Sequence, residues 1–158
     1  MLRSAKLTTR DLLEELLEQR ILILDGAMGT LVQARGLEEE DFRGKRFGSH
    51  SRSLKGCYDL LVLTQPQVIE EIHTAYLEAG ADIISTDTFT ATSISLADYG
   101  LEAHVYEMNR AAAEVARRAA DKMMRREPHR PRFVAGSLGR LTRPPLYRRT
   151  STIRGTAP

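Results

Sequence analysis

The chain has almost no cysteine. Cys57 stands alone among 158 residues, which excludes an internal disulfide and a metal site built from cysteines. Long apolar runs are also missing. The longest, residues 21–24 and 60–63, fall far short of the roughly 20 residues that cross a bilayer, so no membrane partner is expected. Lys and Arg in residues 1–20 are interrupted by Asp11, Glu14, Glu15 and Glu18, and no apolar segment with a small-residue cleavage site follows. The expected location is therefore cytoplasmic. Neither a Gly-Lys-Ser/Thr ending nor dinucleotide glycine spacing accompanies Gly26 and Gly29, which argues against nucleotide binding. His50, His73, His104 and His129 form no i,i+4 pair and have no neighbouring carboxylate in a metal pattern, so they read as structural or solvated. Acidic residues are absent from 140–158, where Arg140, Arg143, Arg148, Arg149 and Arg154 cluster. The two parts of the chain thus differ in composition.

With 42% hydrophobic and 28% charged residues, the chain fits one globular domain of ordinary size. Thr8, with Asp11 three positions on, marks a helix start, and Leu12, Leu13, Leu16 and Leu17 recur at helical spacing over 8–19. Residues 21–24, Ile-Leu-Ile-Leu, read as a strand buried on both faces that stops at Asp25-Gly26. The stretch 35–53 is polar and aperiodic and reads as a long loop. Pro66 opens a second helix whose apolar face holds Val68, Ile69, Ile72, Ala75, Tyr76 and Ala79 until Gly80. A strand over 82–89 follows, then a helix over 101–126 and a strand over 132–137. This alternation predicts an α/β fold with parallel crossovers.

Chemistry in such folds gathers at the carboxyl ends of the strands. Here those ends carry Asp25-Gly26-Ala27-Met28-Gly29-Thr30, then Thr86-Asp87-Thr88-Phe89, then Gly136-Ser137-Leu138-Gly139. Asp25 could hold a substrate ammonium while the small residues after it leave backbone N–H groups for a carboxylate, a combination suited to an amino acid. It could equally cap its own turn, with the glycines only permitting positive φ. Residue types leave both readings open. Cys57 reads as an inert thiol.

Four segments then carry a resemblance: Ile21 to Thr30, the Arg-Gly-Leu-Glu-Glu-Glu-Asp-Phe at 35–42, the Asp-Leu-Leu-Val-Leu-Thr-Gln-Pro at 59–66, and the Tyr-Leu-Glu-Ala-Gly-Ala-Asp-Ile-Ile at 76–84. In this order they resemble the N-terminal homocysteine-binding domain of cobalamin-dependent methionine synthases, in the homocysteine S-methyltransferase family. The resemblance spans almost all of residues 8–139. It implies a (β/α)8 TIM barrel, here incomplete with about three strands. Implied too is a reaction in which homocysteine, bound as a zinc thiolate, accepts a methyl group from methylcobalamin on another module, with folate-binding, cobalamin-binding and reactivation modules as partners. Asp25, Gly26 and Ala27 would hold the amino-acid end of homocysteine. Where the family reads Glu-Thr-Asn-Thr-Phe, this chain has Ser85-Thr86-Asp87-Thr88-Phe89, so the substrate positions Ser85 and Asp87 depart from the pattern. The family binds zinc through cysteines near the ends of later strands, and Cys57 matches none of them. The expectation is a methionine synthase fragment that is inactive alone and binds neither zinc nor cobalamin itself; the alternative is a small non-catalytic homocysteine-binding protein.

Residues 140–158 resemble nothing in the family. Back-translating them with one restored C at Gly139 permits P-T-N-Q-T-A-S-I-S-P-D-V-N-D-P-G-Y-R, which resembles the family's continuation. The expected organisation is a partial homocysteine-binding domain over 1–139 and an out-of-frame, disordered basic tail over 140–158. Without aromatic interleaving beyond Tyr147, the tail implies no nucleic-acid partner.

Overall fold

The structure, a computed structural model, describes residues 8–139; the tail expected over 140–158 lies outside the described residues. Helix α1 (Thr9–Gln19) begins at a capping box: Asp11 N–H donates to the Thr8 hydroxyl at 3.2 Å, and the Asp11 carboxylate accepts from Thr8 N at 2.9 Å. None of its residues is buried, and Leu17 is exposed. Helix α2 (Met28–Gln33) follows the strand-like run.

The stretch read as a long loop contains a helix, α3 (Glu39–Arg43), for a reason visible in its side chains. Glu38 and Asp41 close a capping box around its first turn. Farther on, the Glu39 carboxylate accepts from the backbone of Leu54 and Lys55 and from the Ser53 hydroxyl. Arg43 donates to the carbonyls of Phe47, His50 and Arg52. Buried backbone groups need partners, and here two charged side chains supply them where no regular ladder exists.

A 3₁₀ turn (Tyr58–Leu60) leads into helix α4 (Leu61–Thr64), and Pro66 opens helix α5 (Pro66–Glu78) at its first turn. Gly80, at φ +109, reverses the chain after it, a conformation that a Cβ would strain. Strand β1 (Ile83–Ser85), helix α6 (Ser93–Leu96), helix α7 (Val105–Arg126) and strand β2 (Phe133–Ala135) complete the order. The inward face of α7 is near that expected, with Met108, Ala112, Val115, Ala116, Ala119, Ala120 and Met123 buried; on α5 Ile69 and Ile72 are buried as expected and His73 and Leu77 join them, while Ala75 and Ala79 are exposed. Ile69, Ile72, Met108, Ala112 and Val115 pack with Phe42, Leu54, Leu60 and Leu61 in one apolar cluster, and Leu77, Ala116, Ala119, Ala120 and Met123 form a second with Ile84 of β1.

β1 and β2 pair in parallel, Ile83 opposite Phe133 and Ser85 opposite Ala135. On the other side of β1 only Leu24 bridges, to Ile83. This corrects the expected (β/α)8 TIM barrel and its three strands: the described residues are mostly helical, with a two-stranded, unclosed sheet. Two physical causes stand out. Ile21, Ile23 and Leu24 are 86%, 56% and 55% exposed, so no apolar cover holds that run in an extended ladder. Beyond Ser85 and Ala135 local hydrogen bonds replace pairing: Thr88 N–H donates to Thr86 O at 2.9 Å, and Ser137 N–H to the Thr86 hydroxyl at 2.9 Å. Both strands therefore end within three residues.

At the opposite end of β1 the Asp82 side chain is fully buried and accepts from Arg20 at 2.8 and 2.9 Å, from Arg130 at 3.1 Å and from Ile23 N–H at 3.0 Å. It ties α1, the Leu24 bridge and the approach to β2 to one carboxylate. Among the described residues no helix is long and apolar enough to cross a membrane.

Candidate functional site

The Leu24 bridge, β1 and β2 are parallel, so their carboxyl ends share one edge of the molecule. Asp25 enters it directly: its N–H donates to Ile83 O at 2.9 Å, and its carboxylate accepts from Ser85 N–H at 2.9 Å. The side chain therefore reaches across to β1 and not to the N–H groups of its own turn. It is half-buried, and burial raises its carboxyl above the usual carboxylate range against the pull of the Ser85 hydrogen bonds. Gly26 and Ala27 are exposed, and neither N–H donates to an acceptor among the described residues. A Cβ at Gly26 would lie 3.4 Å from the Tyr76 hydroxyl, so α5 closes one side of this turn.

Beyond Ser85 the chain is buried through Thr86, Asp87 and Thr88. Thr86 and Thr88 share a 2.7 Å hydroxyl contact, and the Thr88 hydroxyl donates to Ser137 O at 2.8 Å. Thr90 N–H donates to Asp59 at 3.1 Å, and its hydroxyl donates to the same carboxylate. Asp87 has no such answer: its Oδ2 is buried with no hydrogen-bond partner. Burial, then the Asp59 charge, push the Asp87 carboxyl up to about 7.

Ser85 and Asp87 thus stand on the same strand end as the Asp25 contact. Three residues outside the sequence expectation belong to the same surroundings: Asp59, Thr90 and Tyr76. Asp59 could have been noticed as an acid opening the apolar run 60–63; Thr90 and Tyr76 carry no sequence signal beyond their neighbours.

Zinc fails the test of fit. Its ligands must be deprotonated, yet Cys57 is 2% exposed, and its thiol is pushed up to about 12 by burial and by the charges of Asp59 and Asp87. Among the described residues no group of three or more His, Cys, Asp or Glu is placed to hold a metal ion. His73 is fully buried on α5 with both ring nitrogens unpartnered, while His50 is bonded to Tyr99 O at 2.8 Å. The zinc-thiolate mechanism expected from the resemblance is therefore corrected: this chain's described residues supply no site for it, and no step is derived through zinc or cobalamin.

The largest cavities lie elsewhere. One of about 620 Å³ rests against α7 and Val134, one of about 590 Å³ lies along α5 beside Glu70 and Lys122, and one of about 420 Å³ lies between α2 and α3 beside Tyr58. Their linings are structural ion pairs and helix flanks, so they contribute nothing to the strand-end chemistry. That edge offers carboxylate acceptors and free backbone donors on an open face, with Phe89 and Leu138 exposed beside them. Such a set suits a small zwitterion carrying both an ammonium and a carboxylate.

Comparison with known proteins bears on this arrangement. The family model described as homocysteine S-methyltransferase matches residues 22–150. Two solved structures of the homocysteine methyltransferase MmuM from Escherichia coli superpose on the chain. The metallated form has a TM-score of 0.64 and 30% identity over 82% of this chain and 41% of its own. The oxidized form has a TM-score of 0.63 and 32% identity over 80% and 40%. The chain therefore spans about two fifths of the length of these relatives.

Proposed function

This chain belongs to the homocysteine S-methyltransferase family, and from that premise we propose that its strand-end edge binds homocysteine, or a closely similar amino acid, without turning it over. The observation that carries the reading is the Asp25 carboxylate, held at a fixed point by Ser85 N–H next to the exposed turn Gly26-Ala27. In this reading Asp25 accepts the ligand ammonium through its remaining lone pairs, and the Gly26 and Ala27 N–H groups donate to the ligand carboxylate. Ser85 positions Asp25 through its backbone, so its departure from the family's Glu leaves the contact intact. Asp87 lies farther along the same strand end, toward the ligand side chain.

Calorimetric titration of the full chain with L-homocysteine tests this. Saturable binding that weakens at least about tenfold in Asp25→Asn supports it, since a charge-assisted hydrogen bond is worth roughly 1.5–3 kcal/mol. Heat of binding unaffected by Asp25→Asn, or no binding by the folded wild-type chain, rejects it.

A further inference from the structure

The two edges of the sheet are unfinished in different ways. On one side of β1 the run 21–24 touches it only through the Leu24 bridge, and α1, the helix leading into that run, buries none of its residues. Leu12, Leu13, Leu16 and Leu17 nevertheless share one face of α1. The rest of the helix carries Asp11, Glu14, Glu15 and Glu18 against the single base Arg10. At the other edge β2 pairs with β1 alone among the described residues. Beside it lies the cavity of about 620 Å³ between α7 and Val134, whose lining holds four arginines against two acids. Arg110 answers Glu114 at 2.8 Å, Arg117 answers Asp121 at 2.9 Å, and Arg118 reaches back to Glu70 on α5 at 2.6 Å. The fourth arginine, Arg125, is exposed and gives the groove an excess of positive charge.

We propose that this chain binds a second copy of itself head to tail: the leucine face of α1 on one protomer seats in the groove between α7 and Val134 of the other and brings its run 21–24 alongside the free edge of β2. In parallel α/β chains each crossover helix packs on the sheet beside the previous one. Helix α7 makes the crossover from β1 to β2, and Val134 packs on its inner face, so the groove lies where the next crossover helix belongs. No described helix follows β2, whereas α1 leads into an edge run with no described strand ahead of it. The two gaps are complementary. β2 of one copy, then α1 and the run 21–24 of the next, restore the order of one βαβ unit, and the Leu24 bridge, β1 and β2 already run parallel. Size agrees, since the 11 residues of α1 make about 16 Å of helix and Arg110 to Arg125 span about 22 Å along α7. Charge agrees too, because the acids of α1 meet the positive groove. Residues 140–158, which follow β2 along the chain, carry five arginines and no acid, and the same charge repels them. Donor and acceptor surfaces differ, so the contact is heterologous, and association continues past two chains unless a ring closes.

The test is sedimentation of the full chain over a range of concentrations, with two variants that each break one side of the contact. Leu13→Ser combined with Leu17→Ser removes the apolar face of α1, and Arg110→Glu combined with Arg125→Glu reverses the charge of the groove. The wild type is expected to associate as concentration rises, and each variant alone to need at least about tenfold more protein to do so. An equal mixture of the two variants is expected to recover the association as a complex of two chains, because one still carries an intact groove and the other an intact α1. Misfolding does not produce that recovery. Wild-type chains that stay monomeric overturn the proposal and leave the groove to another occupant. Association unchanged in either variant, or lost in both and not recovered on mixing, overturns it as well and assigns the contact to a different or a self-complementary surface.

Discussion

Asp82 gathers two guanidinium groups and one backbone N–H around a side chain with no exposed surface. Those partners hold its carboxyl well below the usual carboxylate range despite burial. Its stabilising contribution is present above the ordinary carboxylate pKa and is lost as pH falls through the lowered value. Asp82→Asn is expected to cost about 2 kcal/mol in chemical denaturation at pH 7, less than a fully buried pair because both arginines remain partly exposed. Two other buried groups act in opposite directions. Burial lowers His73 to about 4, so the unfolded chain binds the proton first and stability falls as pH drops from about 6.5 toward 4. Asp87, pushed up to about 7, is protonated first in the folded chain, so stability falls as pH rises from about 4 through 7. Melting temperature against pH in His73→Leu and Asp87→Asn separates them. The first variant loses the acid-side decline; the second gains about 1–3 kcal/mol at pH 8 from removal of a buried charge.

At the scale of elements, α1 and the α5–α7 pair contrast. The Thr8 capping box is complete, yet no residue of α1 is buried. Thr8→Ala is therefore expected to speed amide exchange over residues 9–19 while leaving the global transition almost unmoved, although a cap is worth about 1 kcal/mol to its helix. In α7 the buried face carries Ala112, Ala116, Ala119 and Ala120, all 0–1% exposed, small side chains that let neighbouring elements come close. Ala119→Leu is expected to destabilise the whole domain by about 1–3 kcal/mol through overpacking, measured by denaturant midpoint. The α7 face was legible in the sequence because the 3.6-residue period survives packing, with Met108, Ala112, Val115 and Ala116 all inside; on α5 Ile69 and Ile72 are inside, but Ala75 and Ala79 of the expected face are exposed. Strands were less legible. The run 21–24 has the composition of a buried strand, but a ladder needs a partner and a cover, which composition does not supply.

For the whole molecule the consequence is an exposed apolar edge. Leu17, Ile21, Ile23 and Leu24 are each at least 55% exposed beside an unclosed sheet. Apolar edges of this kind favour association between copies. Sedimentation of the full chain is expected to show concentration-dependent self-association that Ile21→Lys combined with Ile23→Lys reduces, with the α5–α7 core melting as before. Unchanged association in that double variant would assign the contact to another surface.

The residue pattern by itself determined the family and the two long helices, because these depend on local order and short-range periodicity, and it put Asp25 and Asp87 at the ends of apolar runs. It also determined that a cysteine-built metal site could not form from Cys57 alone. Tertiary structure decided the rest. That Asp25 reaches Ser85 and not its own turn, that Asp59 stands beside Asp87, and that Asp87 keeps an unanswered oxygen all follow from contacts between residues about 30 to 60 positions apart. Whether an acid is neutral, paired or orphaned depends on burial and on which charges lie within a few ångströms. Those distances are set by packing, and no spacing along the chain encodes them.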